Sequence, residues 1–167
     1  EIAGGNTNTG PVWSFTTVMA ASATATGPTG GPTNVAGITV SYTYTGVPTS
    51  VNIYYTTTGG ATWFLWGVDG TVDGSYALTL SASGTYGWIA QAVGGGATET
   101  IPPAAWTAPE AASYIFDNVR PTVSGTVPSN GATNVVLAQS VIITFSEAVN
   151  TATFVLGASF TISPNPG

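Results

Sequence analysis

From Ile38 to Thr45 apolar and polar side chains alternate without a break: Ile38, Val40, Tyr42 and Tyr44 face one way, Thr39, Ser41, Thr43 and Thr45 the other. A period of two is that of a strand with one buried face, and a helix cannot use it. The pattern recurs along the chain. Val51 to Thr56 and Ala61 to Trp66 flank Thr58-Gly59-Gly60, which predicts a hairpin. Ser75 to Ser81 brings Tyr76, Leu78 and Leu80 into phase, Gly84 to Val93 does the same for Tyr86, Trp88, Ala90 and Ala92, and Ser113 to Asp117 closes the set. Turn signals separate these runs at Gly46-Val47-Pro48, Asp69-Gly70, Asp73-Gly74, Gly94-Gly95-Gly96 and Pro102-Pro103. The one Ala-rich stretch, Ala20 to Ala25, is broken by Ser22 and Thr24 and has no helical period. Short strands at this spacing predict an all-β chain built around an antiparallel sandwich.

Residues 18–33 are rich in Ala, Thr, Gly and Pro and read as a linker. Asn118-Val119-Arg120-Pro121 reads as a second, tighter junction. A complete domain over 34–118 therefore stands between flanks at 1–17 and 119–167. The N-terminal flank offers one strand, Pro11 to Thr17. The C-terminal flank offers five: Thr122 to Val127, Val135 to Leu137, Ser140 to Ser146, Thr153 to Leu156 and Ser159 to Ser163.

Charge narrows the function. Of 167 residues only 5% are charged, and the seven carboxylates face a single basic residue, Arg120; about a quarter is usual. Nucleic acid and anionic membrane surfaces both require clustered Lys and Arg, so neither is an expected partner. No apolar run approaches the ~20 residues of a membrane-spanning helix. Without His, Lys or Cys, the nucleophile–base pairs of covalent catalysis have no base, and disulfides and thiolate metal sites are excluded. The chain is expected not to be an enzyme. An excess of Thr, Gly, Ser, Ala and Asn over Lys points to an extracellular, cell-surface location. There is no Asn-x-Ser/Thr acceptor for N-glycosylation.

Two stretches carry a resemblance. Pro121-Thr-Val-Ser-Gly-Thr-Val-Pro128-Ser-Asn130-Gly131-Ala132-Thr-Asn134-Val135 and Ile143-Thr144-Phe145-Ser146-Glu147-Ala-Val149 resemble the opening strands of the prokaryotic Ig-like domain of S-layer and other archaeal or bacterial surface proteins. Gly10-Pro11-Val12-Trp13-Ser14-Phe15-Thr16-Thr17, after Glu1 to Asn6, is similar to that family's last loop and strand. The middle domain is similar to its Ig-like or fibronectin-III-like modules. The resemblance implies a chain that starts with the end of one Ig-like domain and stops inside the beginning of another. Such a chain is either a window of a tandem array or a subunit whose ends complement the next copy by strand addition. Its expected partners are other copies of itself or neighbouring Ig-like repeats, in an extracellular filament, sheath or S-layer. Val12, Trp13 and Phe15 and the strand around Phe160 and Ile162 would provide the inter-subunit pairing. The alternative is an adhesin stalk or carbohydrate-binding module with glycans as partner.

Few residues invite chemistry. Asp69 and Asp73 each precede Gly, which is turn chemistry; calcium is the weaker reading, since it needs six to eight oxygens. Gly27 to Gly31 and Gly94 to Gly96 lack the Lys and the strand-to-helix context of a phosphate cradle, so no cofactor is expected. Alternation sends Phe64 and Trp66 to one face and Trp63 and Leu65 to the other, so one aromatic pair is expected exposed. Tyr54, Phe64 and Trp66 are the candidates for an aromatic contact surface. Trp88 is expected in the core and Trp106 at a sandwich end. Glu99 and Glu110 bracket the Pro-rich loop and belong to no motif.

Overall fold

The structure, a computed structural model, describes residues 19–96, 99, 106–136 and 138–153. The chain divides into two compact units, 1–118 and 119–167.

The first unit is an all-β sandwich. Its strands are β1 (Ser22–Gly27), β2 (Gly30–Thr33), β3 (Gly37–Thr45), β4 (Ser50–Thr56), β5 (Phe64–Asp69), β6 (Ser75–Thr79), β7 (Gly84–Val93) and β8 (Ala111–Phe116). A three-stranded sheet, β1-β3-β6, faces a five-stranded sheet, β2-β8-β7-β4-β5. These pairings are antiparallel except that of β2 with β8, which is short and parallel. The alternating side chains meet between the sheets. Val40 and Tyr42 of β3 and Leu78 of β6 pack with Val51 and Ile53 of β4, Tyr86, Trp88, Ala90 and Ala92 of β7, and Tyr114 and Phe116 of β8. Trp88 is fully buried and stacks on Tyr86 at 5.8 Å. The Tyr86 hydroxyl donates to the Ala82 carbonyl four residues upstream at 2.7 Å. This is the tyrosine corner of Ig-like sandwiches, here leading into β7.

Two expectations are corrected. The segment 18–33 is not a linker: it supplies β1 and β2, and Ala21, Ala23 and Ala25 are core residues. Ala alternating with Ser and Thr buries little area per residue and so resembles low complexity in sequence. It forms a strand because β3 pairs with it from Thr45 back to Ser41. The hairpin after β4 also differs. Its second strand spans Phe64 to Asp69, three residues later than expected, with a bulge opposite Ile53/Tyr54. The Thr56 hydroxyl accepts the N–H groups of Thr58 and Gly60 at 3.1 Å each, which shapes a wider turn than two glycines alone would give.

The second unit contributes β9 (Val123–Val127) and β10 (Ile142–Phe145), paired antiparallel, and a 3-10 turn at Thr151–Thr153. Val135 and Val136, expected in a strand, lie outside any. The expected strands Pro11 to Thr17, Thr153 to Leu156 and Ser159 to Ser163 lie wholly or mostly outside the described residues.

Inter-sheet packing sets a test. A Cβ on Gly67 of β5 would collide with the Tyr76 hydroxyl and stand 2.8 Å from its Cζ. Gly67→Ala should therefore destabilise the sandwich by about 1–3 kcal/mol, the usual cost of overpacking. In a Tyr76→Phe background the penalty should shrink, because the nearest atom is gone. Urea denaturation of the double-mutant cycle reads this coupling.

Candidate functional site: strand edges and an exposed apolar ribbon

The first unit has one strand edge finished by side chains. β8 begins opposite Trp88, with Ala111 as its partner, so the rest of β7 has no β8 neighbour on that side. Two carboxylates dock there instead. Glu110 donates its own N–H to the Trp88 carbonyl, and Glu99 donates its to that of Ala92, both at 3.0 Å. Oε2 of Glu110 accepts the N–H groups of Ala90 at 3.1 Å and Ala25 at 2.7 Å. Oε2 of Glu99 accepts those of Ala92 at 3.1 Å and Ala23 at 3.0 Å. Each oxygen thus joins β1 in one sheet to β7 in the other. Burial pushes the Glu110 carboxyl above its usual range; the N–H groups of Ala25 and Ala90 pull it back, and the nearby Glu99 charge raises it further.

Asp69 ties the sheets from β5. It is buried, and its Oδ2 accepts the hydroxyl of Tyr42 on β3. Its Oδ1 accepts the Thr71 N–H at 2.8 Å, the Thr71 hydroxyl at 2.6 Å and the Val72 N–H at 3.3 Å. These bonds hold Val72 at a φ of 53°, a conformation that is an outlier for a β-branched residue. Burial pushes Asp69 up, but the four hydrogen bonds outweigh it and hold the carboxyl below its usual range. Burial first, then the bond to Asp69, raises the Tyr42 hydroxyl well above the ordinary tyrosine range. Asp73 makes its own turn, accepting the N–H and hydroxyl of Ser75 at 3.0 and 2.9 Å. The calcium candidates Asp69 and Asp73 are thus both turn acceptors, and donors occupy most of the lone-pair sites of Asp69.

The aromatic candidates do not form one surface. Trp66 is half-buried and packs on Tyr55 at 5.0 Å and Trp88 at 6.1 Å, at the margin of the core. Phe64, 52% exposed, stands beside Tyr55 at 5.5 Å. Tyr54 lies on the opposite face of β4, since its neighbours Ile53 and Tyr55 pack inward. It meets Trp106 edge-on at 5.0 Å, and Trp63 meets Trp106 at 5.7 Å. The Trp63 indole donates to the Trp106 carbonyl at 3.1 Å. Trp106 therefore covers the outer sheet face and does not plug a sandwich end. Phe64 and Trp66 both meet Tyr55, so they share the face that alternation gives them, and that face looks inward.

Among the described residues, the second unit exposes apolar side chains. Val127 and Ile142 oppose each other across β9 and β10 and are 49% and 53% exposed; Val123 and Val141 are 57% and 58% exposed. The only charged residues of this unit are Arg120 and Glu147. A two-stranded ribbon is marginal on its own, and an apolar one without Lys at its edges is a template for further strands. The strand-pairing candidates Val12, Trp13, Phe15, Phe160 and Ile162 lie outside the described residues.

A protein-family model described as bacterial Ig-like domain matches residues 117–167. That span contains both the Pro121-to-Val135 and the Ile143-to-Val149 motifs. No curated protein and no solved structure matches the chain. The C-terminal segment is similar to bacterial Ig-like domains, in keeping with a protein of surface type, and such domains are typically non-catalytic.

The two shifted carboxyls set opposite pH limits. The folded state holds the Glu110 proton more tightly than the unfolded chain does. Its contribution is therefore greatest below the usual value of 4.5 and declines as pH rises from there through the folded value. Asp69 works in reverse: its contribution is present above the usual 3.8 and is lost as pH falls through the depressed folded value. Thermal melts across pH should show the combined contribution of the two carboxyls maximal between their ordinary values of 3.8 and 4.5. Asp69→Asn should flatten the acid limb, and Glu110→Gln the limb above the maximum.

Proposed function

We propose that this chain is a structural module of an extracellular surface assembly: a subunit or repeat of a filament, sheath or S-layer whose copies join head-to-tail by β-strand complementation. The observation that carries the reading is the exposed apolar ribbon of β9 and β10 in the Ig-like unit. Strand addition would cover such a ribbon. The segment around Val12, Trp13 and Phe15 resembles the last strand of the same domain type and is the partner proposed for it, together with Phe160 and Ile162. A contact that runs from one patch to a different one grows open filaments unless it closes into a ring. The scarcity of charge supports the same reading, because surfaces that copies cover need no solubilising Lys.

The three-plus-five strand order of the first unit, with its tyrosine corner, supports a fibronectin-III-like spacer. Its proposed extent is Ala21 to Asn118. An adhesin stalk or carbohydrate-binding module has less support. The rings of Tyr54, Trp63 and Trp106 are engaged with one another, and Trp66 with the core.

Electron microscopy of the purified chain should show continuous fibres whose assembly a synthetic peptide of residues 9–18 inhibits. Trp13→Ala combined with Phe15→Ala should raise the critical concentration at least ~10-fold, since losing a buried aromatic costs about 3–5 kcal/mol. A chain that stays monomeric at high concentration, with both terminal segments protected from proteolysis, would overturn the proposal.

A further inference from the structure

The carboxylate seam between β1 and β7 does more than complete a hydrogen-bond inventory. Both strands present N–H groups to the same gap: Ala23 and Ala25 from β1, Ala90 and Ala92 from β7. Two donors cannot pair with each other. Left alone, these four would be a row of unpaired N–H groups on two strand edges, which is what an added strand seeks. One oxygen of Glu110 joins 25 to 90 and one oxygen of Glu99 joins 23 to 92, so the two carboxylates form the rungs of an antiparallel ladder. The alanines let the acids come close, because larger side chains at these buried positions would fill the space between the sheets.

We propose that Glu99 and Glu110 guard this edge against strand addition by a second copy of the chain. Among charged side chains Lys most often takes that task, and this chain lacks it. A second copy is the relevant partner because the chain carries its own uncharged edge strand, β6, the outer strand of the three-stranded sheet, through which a copy can add. The proposal concerns the first unit alone and does not depend on end-to-end joining of copies.

The test compares Glu99→Ala/Glu110→Ala with Glu99→Gln/Glu110→Gln in the full chain. Gln keeps a carbonyl oxygen that accepts both N–H groups; Ala does not. In the Ala double variant, amide hydrogen exchange at Ala23, Ala25, Ala90 and Ala92 should accelerate roughly tenfold or more. Sedimentation velocity should show association beyond that of the wild type at equal concentration. The Gln double variant should match the wild type in both. Where the Ala double variant does not fold, the single variants decide. Glu99→Ala should release Ala23 and Ala92, and Glu110→Ala should release Ala25 and Ala90, a crossed pattern that general destabilisation does not produce. Unchanged exchange at the four amides overturns the seam, and faster exchange without added association overturns the guarding role.

Discussion

A carboxylate oxygen that accepts backbone N–H groups from two strands holds the first unit closed where β8 gives out. The chain has no thiol and only one cation, so disulfides and ion pairs are not available to tie its sheets. Hydrogen bonds to acids take their place. Glu99 and Glu110 join β7 to β1, and Asp69 joins β5 to β3 through Tyr42. Charge-assisted bonds of this kind are about twice as strong as neutral ones, and Asp69, the one buried acid among them, is tolerable because donors fill its lone pairs. A scarcity of charge therefore coexists with heavy use of the few charges present. Three of the seven carboxylates are structural keystones between sheets.

The strands that alternate large apolar with polar residues were legible from sequence, because each signals its buried face locally. β3, β4, β6 and β7 belong to this group, as does the tyrosine-led core around Trp88. β1 was not legible, since its inward residues are alanines and its outward ones Ser and Thr. β5 was displaced in the reading by the bulge at Trp66, which breaks the period on which the reading depends. The roles of Glu99 and Glu110 were hidden for a different reason. Their partners on β1 lie 76 and 85 residues away, and no local pattern encodes a register between strands of different sheets. The available signal was indirect: four alanines at alternate positions, 23 and 25 on one segment, 90 and 92 on another, in a chain with few acids to spare.

The two units finish their edges in opposite ways. The first closes a core around Trp88, Ile53 and Phe116 and fills its open edge with side chains. The second leaves Val123, Val127, Val141 and Ile142 in water, on an Ig-like segment with two charged residues. Under the proposed strand complementation, the closed unit would supply rigidity and spacing, and the other the joining surface. Their combination in one chain suits a module whose stability is partly deferred until it has a neighbour.

The ladder of Glu99 and Glu110 also separates what this protein can vary from what it cannot. Each carboxylate is pinned individually to β7, and lengthening the chain between the two acids costs little loop entropy. The two-residue spacing of Ala23 and Ala25, and of Ala90 and Ala92, has no such freedom. A single inserted residue in either strand would turn the paired N–H groups away from the acids and the alanines out of the core. Sequence drift should thus gather between the two acids, around Pro102 and Pro103, and spare the unremarkable alanines on either side of the gap.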